Sequence, residues 1–145
     1  MSVPQKILFL LLLALSLLSY SCHPARYLPE KATGAYPWHL HRATSTNMQV
    51  FRDGHFIMVV NATATSYQDF DLWINQQFVS HVESLPAGGT IFLSLWDFRN
   101  NLGESFNAGG VFRTEIPTPV RMAEIQIDEQ EPMVGMISIA TGEWD

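Results

Sequence analysis

YQDFDLWINQQFVSHVESLPAGGTIFLSLW, residues 67–96, carries the clearest local signal in the chain. In Tyr67–Ile74 the apolar Phe70, Leu72 and Ile74 alternate with Asp69, Asp71 and Trp73, the period-2 pattern of a strand with one buried face. Asn75-Gln76-Gln77 reads as a hairpin connection and Phe78–Val82 as the returning strand. Leu85-Pro86-Ala87-Gly88-Gly89 is a strong turn, because proline presets φ and glycine tolerates positive φ. Thr90–Trp96 alternates again, with Ile91, Leu93 and Leu95 opposite Phe92, Ser94 and Trp96. Strands joined by turns this short point to antiparallel pairing.

The same signals continue on both sides. Upstream, His55–Ala64 sets Phe56, Met58, Val60 and Ala62 on one face and Ile57, Val59 and Asn61 on the other. Both faces are apolar at its start, as expected of a central strand. Downstream, Asp97–Gly110 is a long Asn- and Gly-rich loop, and Val111–Thr114 a short edge strand stopped by Ile116-Pro117-Thr118-Pro119. Arg121–Asp128 alternates, with Ala123, Ile125 and Ile127 inward and Glu124 and Gln126 outward. An acidic turn, Asp128-Glu129-Gln130-Glu131-Pro132, precedes a last apolar strand, Met133–Ala140. Seven or eight short strands without an amphipathic helix predict an all-β fold. The expected architecture is an antiparallel Ig-like β-sandwich, with a small β-barrel as the alternative. With one cysteine in the chain, the disulfide-pinned antibody type is excluded.

The N-terminus is of another kind. A single positive charge, Lys6, precedes Ile7–Leu18 (ILFLLLLALSLL), apolar except for Ser16. A helix needs about 20 such residues to span a bilayer, so this run is the length of a secretory signal core. Ser19 and Ser21 stand three and one residues before Cys22. Leu17-Leu18-Ser19-Tyr20-Ser21-Cys22 resembles the cleavage region of bacterial lipoprotein precursors, with Ser19 and the bulky Tyr20 departing from the usual residues there. The resemblance implies lipidation of Cys22 and a membrane anchor on the extracytoplasmic side of the cell envelope, the alternative being a plain secreted protein. The expected organisation is a signal peptide at 1–21, a lipid-anchored tether or linker at 22–47 containing Pro24, Pro29 and Pro37, and the β-domain at 48–145.

The chain carries 8 Lys+Arg against 14 Asp+Glu, a net charge of −6. Loss of Lys6 with the signal makes it −7. This acidity excludes a nucleic-acid binder, which needs cations to neutralise phosphates, and a polybasic membrane-surface protein.

The stretch from Asp71-Leu72-Trp73-Ile74-Asn75 through Phe78-Val79, Leu85-Pro86-Ala87-Gly88-Gly89 and Phe98 to Gly103-Glu104 is similar to a pattern in extracytoplasmic bacterial proteins with an Ig-like domain. It covers about a quarter of the chain and implies a fold. It transfers no catalytic residue.

Candidate sites are sparse. His39-Leu40-His41 sets two imidazoles at the spacing of one strand face, a weak metal site needing a third ligand from His55, His81 or a carboxylate. Asp128-Glu129-Gln130-Glu131 lacks the alternating ligands and glycine of a calcium loop and reads as a solvated turn. Asp69 and Asp71 read as the polar face of a strand. Asn61-Ala62-Thr63 has the form of a glycosylation acceptor, and its place inside a strand-like run marks it as coincidence. No nucleophile elbow, P-loop or dinucleotide fingerprint is present, so neither an enzyme nor a cofactor is expected. Trp73 and Trp96, opposite the aliphatic faces of their strands, form a possible platform for sugar rings or for a partner's apolar anchor. The expected function is binding or scaffolding at the envelope, with a protein or glycan partner. The alternatives are a carbohydrate-binding module and a metal-dependent enzyme using His39 and His41.

Overall fold

The structure, a computed structural model, describes residues 28–110 and 116–139. Cys22, the signal segment and the expected strand Val111–Thr114 lie outside the described residues. Seven strands form one hydrogen-bonded sheet: β1 (Ser45–Asp53), β2 (Phe56–Asn61), β3 (Tyr67–Ile74), β4 (Phe78–Leu85), β5 (Thr90–Ser94), β6 (Ala123–Gln126) and β7 (Val134–Ile139). Their order across the sheet is β4-β3-β6-β7-β1-β2-β5.

The all-β expectation holds. Pairing is antiparallel at every junction but one, since β1 runs parallel to β7. The sheet is therefore mixed rather than purely antiparallel, and the strands join one sheet instead of dividing between two.

This sheet curls nearly into a barrel. Buried side chains from Val82 of β4 and Phe70 and Leu72 of β3 meet Met48 and Val50 of β1 and Ile57 and Val59 of β2 in one cluster, with Ile91 and Leu93 of the other edge strand, β5, packed against it. A flat sheet could not bring its two edges to a common core. The loop after β5 closes the gap. Leu95–Asp97 forms a 3₁₀ turn, after which Arg99 pairs with Val79 of β4 through two backbone hydrogen bonds of 2.8 and 3.0 Å. Phe98 and Phe106 of this loop are fully buried, with Phe106 edge-on to Phe78 at 5.2 Å.

The turns explain the register. Asn75 and Gln76 take φ of 51° and 58° in a three-residue connection between the paired Ile74 and Phe78, closed by the Gln77 N–H on the Ile74 carbonyl at 3.2 Å. Gly103, at φ +79°, sits where an added Cβ would fall 1.9 Å from the Leu28 carbonyl oxygen, so only glycine fits the contact between the loop and the start of the described chain.

At the far end of β1, Arg52 is buried and donates from Nε to the Gly54 carbonyl at 2.9 Å and from Nη2 to the Ala108 carbonyl at 3.1 Å. A charged group with neighbours of this kind ties the strand end to the loop.

Candidate functional site

The outer surface of the sheet is treated differently in its two halves. Over β3, β4 and β6 lies a strap, residues 33–41. A turn from Pro37 to Leu40, closed by a 2.9 Å hydrogen bond, directs Tyr36 and Leu40 down onto Trp73, Val79 and Met133, and these five form a second buried cluster. The Thr33 N–H donates to the Asn100 carbonyl at 3.1 Å and the Met133 N–H to the Leu40 carbonyl at 2.9 Å, pinning the strap at both ends. Part of the stretch expected as a tether thus belongs to the folded unit, because Trp73 makes the outer face of β3 apolar and in need of cover.

Beneath the strap sits a buried carboxylate. Glu124 of β6 is 2% exposed, although strand alternation places it outward. It lies opposite Trp73 in the β3–β6 register, and the strap that covers one covers the other. The Tyr36 hydroxyl donates to Oε2 of Glu124, and His41 Nδ1 lies 2.8 Å from Oε1. The same Nδ1 is 3.0 Å from the Tyr36 hydroxyl, and in the tautomer that carries its proton there it donates to the carboxylate. Burial, and then the Glu124 hydrogen bond and charge, push the Tyr36 phenol well above its ordinary range. The trio holds a phenol and an imidazole on one carboxylate, with Trp73 edge-on to Tyr36 at 5.4 Å and the His41 ring partly open to solvent. Its chemistry is that of an anchor for the strap.

Beside the anchor an open cleft of about 420 Å³ runs between Thr33, Pro37 and His39 of the strap and Asp71, Trp73 and Gln126 of the sheet. Trp38 of the strap is 65% exposed, its ring 4.9 Å from that of Tyr36 and edge-on to it.

The residues singled out from sequence separate here. Trp73 is 4% exposed, with its indole N–H on Gln126 Oε1 at 2.8 Å. Trp96 packs partly against the main core, because the Leu95–Asp97 turn, in which the Trp96 N–H reaches Ser94 Oγ at 3.3 Å, breaks the alternation. The expected platform is corrected accordingly: one tryptophan belongs to the cluster outside the sheet and the other to the core inside it. His39 is exposed on the strap while His41 is held by Glu124. They sit on a turn, not on one strand face. Among the described residues no three His, Cys, Asp or Glu side chains group as metal ligands.

The remaining candidates have local roles. Asp71 pairs with His81 across β3 and β4 at 3.0 Å, exposed to solvent. The Asp128 carboxylate accepts from the Gln130 and Glu131 N–H groups at 2.8 and 2.6 Å, which lowers its pKa. Asn61 is wholly buried; its amide donates to the Thr65 and Pro86 carbonyls at 2.8 and 3.0 Å, so the nitrogen that a glycan would take is committed to the loop. Ile127, expected inward, is exposed because β6 ends at Gln126 and the chain turns into the acidic loop.

The other half of the outer surface, over β7, β1, β2 and β5, presents apolar side chains to solvent. Pairing aligns Phe92 with Met58, Met58 with Phe51, and Phe51 with Ile139 in one row across four strands. Phe92 is 70% exposed, Phe56 47% and Ile137 43%.

Tyr36, Glu124 and this apolar row were the features that sequence reading missed. The row has a signal in the chain, the apolar character of both faces of His55–Ala64. No protein-family model matches the chain, and no curated protein or solved structure matches it.

Proposed function

We propose that the chain is the precursor of a small bacterial envelope lipoprotein, anchored through Cys22, whose β-domain works by binding or scaffolding without catalysis. The observation that carries the reading is the apolar outer row from Phe92 to Ile139. Solvent-exposed apolar side chains gathered on one face of a sheet mark a contact surface. The apolar segment Ile7–Leu18 and the cysteine that follows it support export and anchoring. We read the nearly closed sheet as a small barrel rather than an Ig-like sandwich, since its strands share one hydrogen-bonded sheet and one interior cluster.

The test is the intact mass of the mature protein extracted from the membrane fraction of its own host. A chain that starts at Cys22 and carries two or three acyl groups is the expected result. An unmodified chain in the soluble fraction overturns the anchor.

A further inference from the structure

Among the described residues, the strap covers one half of the sheet's outer surface, and the other half presents apolar side chains with Phe92, Phe56 and Ile137 exposed. The row Phe92–Met58–Phe51–Ile139 carries no charged side chain, and Phe56 and Ile137 extend it on either side. With strands about 4.8 Å apart, four of them span only about 14 Å. With strands of about six residues, roughly 20 Å long, the patch is on the order of 300 Å², small against the roughly 800 Å² per partner of a stable protein interface. A surface into which a few side chains dip needs no such area.

The chain upstream says which surface is near. Leu28, where the described fold begins, is six residues after Cys22. Six residues reach about 20 Å at full extension, less than the roughly 30 Å diameter of a domain of this size. A domain so tethered stays within about 20 Å of the bilayer surface, close enough for one of its faces to rest on it. Charge decides which. At −6 for the whole chain, the domain is repelled by anionic headgroups wherever its carboxylates lead, as at the acidic turn Asp128–Glu131. Among the described residues, the outer face of β7, β1, β2 and β5 carries a single carboxylate, Asp53 at the end of β1 opposite Phe56, so it is the face that can approach with its uncharged row leading.

We propose that the outer face of β7, β1, β2 and β5 rests on the lipid bilayer, with Phe92 and Phe56 entering the boundary between headgroups and acyl chains. Aromatic and aliphatic side chains presented together on one surface bind that boundary through the apolar area they bury. This proposal rests on the lipoprotein reading of Cys22.

Acylation turns the Cys22 thiol into a thioether, so a cysteine placed elsewhere is the one reactive thiol. Phe92→Cys and Phe56→Cys alter exposed positions, and Ser84→Cys on β4 serves as the comparison. Each mature protein, labelled with an environment-sensitive fluorophore, is reconstituted into phosphatidylethanolamine–phosphatidylglycerol vesicles containing lipids spin-labelled near the headgroup. The expected result is blue-shifted emission with strong quenching at 92 and 56, and emission as in buffer at 84. Equal quenching at all three positions, or at none, overturns the proposal. So does self-quenching between copies at 92 without quenching by lipid, which assigns the face to a second chain. The intact mass reads the anchor separately. If Cys22 proves unacylated, the same variants carrying Cys22→Ser are added to the vesicles, and absence of lipid quenching then overturns the face proposal as well.

Discussion

His41 Nδ1 lies 2.8 Å from Oε1 of Glu124, across 83 residues of chain. This contact and the Tyr36 hydroxyl on the other carboxylate oxygen join the strap to β6. A strand position that alternation gives to solvent becomes the most deeply enclosed carboxylate in the described chain.

Glu124→Ala leaves the Tyr36 hydroxyl and the His41 N–H without their acceptor, and we expect a loss of about 2–3 kcal/mol. Urea unfolding followed by circular dichroism measures it. Glu124→Gln keeps an acceptor oxygen and should lose less than half as much. Equal losses in the two variants would show that packing, not hydrogen bonding, sets the value of this position.

Alkaline pH offers a second reading of the same site. Burial first, and the Glu124 carboxylate second, raise the Tyr36 pKa above its ordinary 10.0. A raised folded value means that stability from the neutral phenol is complete below pH 10 and is lost as pH climbs beyond it. Absorbance titration near 295 nm should show the exposed tyrosines ionising first, with the Tyr36 step appearing only as the fold opens. In Tyr36→Phe the late step should vanish, and the protein should be less stable at pH 7 by about 1 kcal/mol.

The tryptophans are distinguishable by solvent access. Trp38 is 65% exposed and Trp73 4%, so acrylamide should quench the emission that Trp38→Phe removes and spare that of Trp73. Trp73→Ala should cost about 3–5 kcal/mol, the usual range for a large aromatic removed from a packed site. A titration with cell-wall glycans should leave Trp73 emission unchanged. A saturable shift lost in Trp73→Phe would restore the sugar-platform reading.

Gly103→Ala tests the closure of the sheet. The added methyl group meets the Leu28 carbonyl at 1.9 Å in a backbone with φ of +79°. The loop or the residues before the strap must shift, and we expect at least about 2 kcal/mol of destabilisation in a thermal or urea melt. Gly34→Ala, where nothing stands within 4 Å, should be close to neutral.

How much of this was legible follows the range of each interaction. The strands β3 and β4 and their hairpin could be read because period-2 alternation and turn chemistry are local, and Phe70, Leu72 and Ile74 are all buried as read. Trp96 was assigned the wrong side because alternation holds only while a strand lasts, and the strand stops at Ser94. Glu124 and Trp73 were read as outward, which they are with respect to the sheet. What their own neighbourhood cannot show is that a distant segment, residues 33–41, lies over them. The parallel pairing of β1 with β7 leaves no local mark at all, since neither strand adjoins the other in sequence.

That pairing has a consequence for how the molecule comes into being. Ser45 aligns with Gly135 and Phe51 with Ile139, partners about 90 residues apart, and loop-closure entropy must be met before such contacts stabilise anything. β1 and its partner β2 can form a hairpin early, but the seam that joins them to β3, β4 and β6 waits for nearly the last residues of the described chain. Until then the polypeptide has an incomplete sheet and an unclosed interior. Local hairpins can therefore come and go before β7 is available, and closure of the interior is the last event of folding rather than its starting point.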